Sequence, residues 1–188
     1  MRARPSLPAW LPAWAPRPID SLSGSNDAPG MHPHAQLLND FYSAFERKDG
    51  VAMAECYAKQ ARFSDPVFPE LDAREAGAMW RMFCERPGSD LAVTFDGVEA
   101  DDHRGRAHWV ARYTFPLTGR SVVNDIEASF ELADGKITRH RDSFDMWKWA
   151  RMALGVTGTL LGWTPIVRNK VRRQARSQLD RFMRDKNL

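Results

Sequence analysis

The sequence is poor in the features that would take it out of the ordinary globular class. It has only two cysteines, Cys56 and Cys84, in 188 residues. That is too few for a disulfide framework, so both read as reduced thiols of a cytoplasmic protein. It has no apolar run of the roughly 18 residues that spanning a bilayer takes, and its longest weakly polar stretch, residues 153–163, is too short. An amino-terminal signal segment is not expected, because Pro5, Pro8, Pro12, Pro16 and Pro18 interrupt every place where an apolar stretch could form. Charge of one sign is scarce as well: 27 Lys and Arg against 24 Asp and Glu leave +3, which argues against nucleic acid as a partner of the whole chain. His32 and His34 flank Pro33 with no carboxylate or third ligand at metal spacing, so neither a metal nor a cofactor is expected.

What is present is 43% hydrophobic and 27% charged residues, enough for one compact core. Residues 1–30 hold six of the twelve prolines followed by a Ser/Gly/Asn/Asp run, and read as a disordered extension. Met31 stands directly before the first periodic segment, so either translation begins there or Trp10 and Trp14 dock on a partner. Helical spacing then covers residues 35–45 (Leu37, Leu38, Phe41, Tyr42, Phe45), 51–58, and 74–85 (Ala76, Met79, Trp80, Phe83). Between the last two lies an extended segment, 61–68, in which Pro66 keeps Asp65 out of the α region. From residue 91 the period changes to two, predicting strands at 91–99, 106–115, 121–132 and 136–147, with Asp134-Gly135 as a hairpin turn. This order is α+β: a strongly curved antiparallel sheet wrapped around three helices, over residues 31–150.

Residues 151–188 read as a helical extension, first apolar and then basic. Its last part, 165–188, carries eight basic residues against Asp180 and Asp185. Ile166, Val167, Val171, Ala175, Leu179, Phe182 and Met183 form an apolar stripe on a helix opening near Pro165. The stripe is expected to pack on the domain or on the partner of a homodimer, and the basic face to make weak contact with anionic membranes.

Strand parity turns Asn124 to the same side as Ile126 and Phe130, and aligns His140, Asp142, Phe144 and Met146. Polar groups pointing into an apolar concavity are either structural pairs or a functional site. Asp142 has the alternative of an ion pair with Arg112, and Asp65 that of an Asx turn bonding nearby backbone N–H groups. His140 has the alternative of a satisfied wall residue. Asp145, ahead of Met146-Trp147-Lys148, reads as a helix N-cap.

The run from Phe41 to Asp49, then Cys56-Tyr57-Ala58, Phe63-Ser64-Asp65-Pro66-Val67, and Ala133 through Asp145 together resemble the nuclear transport factor 2-like superfamily, in its SnoaL-like and ketosteroid isomerase-related branch. The resemblance covers residues 34–150. It implies a cone with an apolar pocket at its open end, often dimeric, and a cofactor-independent isomerase or cyclase acting on a hydrophobic carbonyl compound. Asp65 matches the general-base aspartate of the isomerases, and Tyr42 lies near their oxyanion-hole tyrosine, with the spacing to Tyr57 differing by one and Phe41 as the alternative occupant of that position. Their second oxyanion-hole acid would fall at Ile126 or Glu127, so that donor pair is incomplete. Residues 118–145 resemble limonene epoxide hydrolase, with Asp142 matching one catalytic aspartate. The other two members of that triad fall at Trp109 and Ala111, which disfavours epoxide hydrolysis. The expected site is therefore Asp65, Asp142, Tyr42 and His140 for catalysis, with Trp80, Trp109, Tyr113, Asn124 and Phe144 around the substrate. The rival reading is a non-catalytic ligand-binding or dimerisation module of the same fold.

Overall fold

The computed structural model describes residues 30–86, 88–162 and 164–188. The expectations for residues 1–29, including Trp10 and Trp14, lie outside the described residues. The chain forms helices α1 (Pro33–Glu46) and α2 (Gly50–Glu55), strands β1 (Tyr57–Ser64) and β2 (Leu71–Asp72), helix α3 (Ala73–Cys84), and strands β3 (Ala92–Ala100), β4 (Arg104–Phe115), β5 (Arg120–Ala133) and β6 (Lys136–Ser143). Helices α4 (Met146–Leu154), α5 (Val156–Leu161) and α6 (Pro165–Asp185) follow.

Local chemistry sets these boundaries. Asp49 accepts from the Ala52 N–H at the start of α2, and Asp72 and Glu75 make a reciprocal capping box that opens α3. Asp145 accepts from Trp147 and Lys148 N–H groups, capping α4 as its position predicts. That cap is also why the fourth long strand stops at Ser143 instead of running to Trp147. Further differences lie at Tyr57 and Ala58, read as the end of a helix and found in β1, at residues 65–68, read as extended and found beyond that strand, and at β2, which the sequence reading did not contain. Tyr57, Ala61 and Phe63 are the buried residues of β1, and packing of this apolar set outweighs the helical neighbours before it.

The curved, open sheet has the order β2-β1-β6-β5-β4-β3. Four of its ladders are antiparallel, and β1 lies parallel to β6. Irregular register in β1/β6, β3/β4 and β5/β6 bends the strands. The inner face carries Ala107, Trp109, Ala111, Ile126, Ala128, Phe130 and Leu132, all buried. Against it pack Leu38, Phe41, Tyr42 and Phe45 of α1, Met53 of α2, and Met79 and Trp80 of α3. Gly105 permits this approach, since a Cβ there would collide with the Leu38 side chain. On the outer face His108 bridges Asp96 of β3 at 3.0 Å and Asp125 of β5 at 2.8 Å.

The carboxy-terminal helices are integral to this core. Trp149, Ala150 and Ala153 of α4 form a second cluster with Val122, while Leu179 and Met183 of α6 are buried in the main one. Polar ties hold α6 down: Arg176 to Glu75 at 2.5 Å, Lys186 to Glu85 at 2.6 Å, and Arg172 Nε donating to the Pro66 carbonyl at 3.0 Å. Among the described residues no helix is long and apolar enough to cross a membrane.

Candidate active site

The inward parity of β6 brings His140 and Asp142 into the core, where both are buried, His140 completely. A buried carboxylate needs donors. Asp142 Oδ1 has two, His140 Nε2 at 3.0 Å and the Trp109 indole N–H at 3.3 Å. The other imidazole nitrogen, Nδ1, meets the Tyr57 hydroxyl at 2.7 Å, and that hydroxyl accepts from the Trp80 indole N–H at 2.9 Å. Counting donors assigns the protons: Trp80 donates to Tyr57, Tyr57 to Nδ1, and Nε2–H to Asp142. All three donors point one way along this chain, which ends on a carboxylate that the Trp109 N–H meets from outside it. Aromatic rings enclose the imidazole, with Trp80 stacked at 5.9 Å and Phe130 at 4.2 Å between centroids.

Asp65 sits just past β1. Its Oδ1 accepts from the Val67 N–H at 2.7 Å and from the Phe68 N–H, so the Asx-turn reading describes its geometry correctly. The carboxyl is nevertheless pushed up to about 7. Burial is the main cause and the negative charge of Asp142 adds to it; the two N–H bonds and Arg172 pull the other way. Asp65 therefore senses the charge of Asp142. The Arg112 alternative for Asp142 is not realised, since that guanidinium donates to Thr94 on the exposed face.

Tyr42 is wholly buried beside Phe95 and Trp109. Its hydroxyl has no hydrogen-bond partner among the described residues. Burial, then the Asp142 charge and Tyr57, raise it well above the usual phenol range, so it stays a neutral donor. Tyr113, half-buried, accepts from the Trp149 indole N–H at 2.8 Å. Burial raises it and the charge of Asp65 adds to the shift. Asn124 is half-buried opposite Ala111, and Phe144 packs between the two hydrophobic clusters. Trp80 and Trp109 are core residues whose N–H groups are used within the chain of bonds just described.

The residue that sequence reasoning passed over is Tyr57. Its signal was present in the alternation Tyr57, Ala61, Phe63, hidden by the helical reading that ran through Ala58.

Two of the surface clefts formed by the described residues lie along α6. One, of about 450 Å³, lies between α3 and the end of α6. The other, of about 240 Å³, is lined by Val67 to Leu71 and by Arg172, Arg173 and Arg176. Neither is lined by Asp65 or Asp142, but the second borders the loop whose N–H groups hold Asp65. No group of three His, Cys, Asp or Glu side chains placed to hold a metal occurs among the described residues. Both cysteines are free, and burial pushes each thiol up to about 11.

Comparison with known proteins places this geometry. Residues 38–140 match the family model of the SnoaL-like domain. No curated protein sequence matches the chain. Among solved structures the fold is similar to a putative polyketide cyclase from Xanthomonas campestris pv. campestris, at 19% identity over 64% of this chain and 96% of the other, with a TM-score of 0.54. It is similar to an LEH-like epoxide hydrolase from M. tuberculosis, at 18% identity over 72% and 95%, TM-score 0.53. A putative isomerase from Bacillus subtilis aligns at 20% identity over 65% and 93%, TM-score 0.53.

Proposed function

The chain belongs to the SnoaL-like domain family, and from that premise we propose that it is an acid/base isomerase or cyclase that acts without a cofactor on a hydrophobic carbonyl compound. The observation that carries the proposal is the carboxyl of Asp65, raised to about 7 by burial, where a general base works best at neutral pH. Its Oδ1 is held by two backbone N–H groups, which leaves Oδ2 to take a proton from the carbon next to the carbonyl. The electron pair of that C–H bond moves to the carbonyl oxygen. Tyr42, a neutral buried hydroxyl with no acceptor among the described residues, is the donor for the resulting oxyanion. Return of the proton to another carbon completes an isomerisation; attack of the enolate carbon on a second carbonyl completes an aldol cyclisation. Asp142 acts through its charge, keeping Asp65 basic, and through His140, which it orients.

The substrate's route is the cleft between the 67–71 loop and α6. At about 240 Å³ it is smaller than most ligand pockets, so binding requires α6 and this loop to separate. The putative cyclase and the putative isomerase of similar fold agree with this reaction class. Epoxide hydrolysis is disfavoured, because Trp109 and Ala111 stand where two further acids would be needed.

A thermal-shift screen of the full chain against hydrophobic ketones, steroids and polyketide-like phenols tests the proposal, since a ligand at about 100 times its Kd stabilises by about 2.7 kcal/mol. With a substrate in hand, Asp65→Asn is expected to lower turnover at least ~100-fold. Full turnover in a folded Asp65→Asn variant overturns the assignment; ligand binding with no turnover in the wild type makes the protein a receptor.

A further inference from the structure

Helix α5 is built inside out for a helix facing water. Its Gly158 is buried against α4, so close that a Cβ there would overlap the Ala150 carbonyl, and Gly162 just beyond lies against Ala150 as well. Gly158 and Gly162 therefore face the protein, while Val156 and Leu160 face away. Val156 is 76% exposed and Leu160, one turn on, 64%. Ile166, in the first turn of α6, is 79% exposed, and Trp147 of α4 is 39% exposed. Of the α6 stripe, Leu179 and Met183 are buried in the main cluster with Ala175 packed against it, and Val171 packs against the second cluster.

The charge along this segment has one sign. Between Asp145 and Asp180 there is no acidic residue, against seven basic ones. Lys148, Arg151, Arg168, Lys170 and Arg173 among them are exposed, and Arg151 lies over the Trp147 ring at 4.6 Å. Exposed apolar side chains on a segment that carries seven cations and, after the Asp145 cap of α4, no acid before Asp180 match the boundary of an anionic bilayer, where chains insert below the headgroups and cations meet the phosphates. A second copy of this chain matches less well, because a two-fold contact would set the same cations against each other.

We infer that the edge formed by α4, α5 and the start of α6 docks on an anionic lipid bilayer, with Val156, Leu160 and Ile166 entering the interface and Lys148, Arg168 and Lys170 meeting the headgroups. This leaves the chain peripheral, since it binds by a surface and not by a spanning helix. None of these six side chains lines the cleft beside the loop of Asp65, so the inference stands independently of the proposed reaction.

Sedimentation of the full chain with vesicles tests it. Binding is expected to vesicles of phosphatidylcholine with about one-third phosphatidylserine, to fall steeply as salt is raised, and to be absent with phosphatidylcholine alone. Arg168→Glu with Lys170→Glu, and separately Val156→Asp with Ile166→Asp, should each weaken binding at least ~10-fold without changing the melting temperature, since all four side chains are exposed. Equal binding to both vesicle types, no binding to either, or displacement by glycerophosphoserine alone would each overturn it. So would a lipid-free dimer that Ile166→Asp converts to monomer, because the patch would then be a protein interface.

Discussion

At Asp65 opposing influences meet in one carboxyl: burial raises it, and two backbone N–H groups with Arg172 lower it, leaving it at about 7. The folded protein therefore holds a proton that the unfolded chain has already released between about pH 4 and 7. Stability contributed by this group is full below that window and declines as pH rises through it, by up to about 1.4 kcal/mol per pH unit. Urea unfolding across the window should show that decline in the wild type, and Asp65→Asn should flatten it. Asp142→Asn removes a neighbouring negative charge, so Asp65 should titrate lower and the rising limb of the pH–rate profile should move to lower pH. Tyr57 and Tyr42 make a second contrast. Tyr57→Phe strands the Trp80 N–H and His140 Nδ1 in the core and should cost roughly 2–4 kcal/mol of unfolding free energy. Tyr42→Phe removes a hydroxyl without a partner among the described residues and should be neutral to within about 0.5 kcal/mol, while lowering turnover. Asp142 and His140 were legible from the period-two alternation of β6. Tyr57 was not, because its strand begins one residue after a helical run and pairs with residues some eighty positions away.

Among the elements, those with a strong period were readable. Helices α1 and α3 and strands β3 to β5 lie within two residues of where their apolar spacing places them. Helix α5 was not readable, since Val156 and Leu160 face outward and Gly158 inward, the reverse of the pattern that spacing detects. Gly158→Ala should therefore force α5 away from α4 and cost roughly 1–3 kcal/mol, whereas Val156→Asp, at an exposed position, should leave thermal unfolding within about 0.5 kcal/mol of wild type. On the sheet's outer face, Asp125 and Asp96 hold the proton on His108 and raise it above its usual range. This small contribution is present at mildly acidic pH and is lost as pH rises through the raised value.

For the molecule as a whole, the question is what α6 does. Sequence pattern assigned it an apolar stripe with an undecided partner, and the structure seats Leu179 and Met183 in the main cluster. Leu179→Ala should thus cost about 2–5 kcal/mol, as a core truncation does, and the chain ended after residue 164 should lose cooperative unfolding. Arg172 links this helix to the Pro66 carbonyl and to the charge state of Asp65, so Arg172→Ala should move the Asp65 titration upward, as read by the same pH-dependent unfolding.

Sequence alone determined the α+β order, the antiparallel run from β3 to β6 and the two inward polar residues of β6. Each depends on local dihedral preference or on a repeat of 2 or 3.6 residues, which neighbours in the chain are enough to encode. Tertiary structure decided the parallel pairing of β1 with β6, the union of Trp80, Tyr57, His140 and Asp142 into one directed chain of hydrogen bonds, the raised carboxyl of Asp65, and the helix that lies against its loop. Those depend on burial and on contacts between residues distant in sequence, and no short-range pattern records which distant side chain will remove the water from a given group.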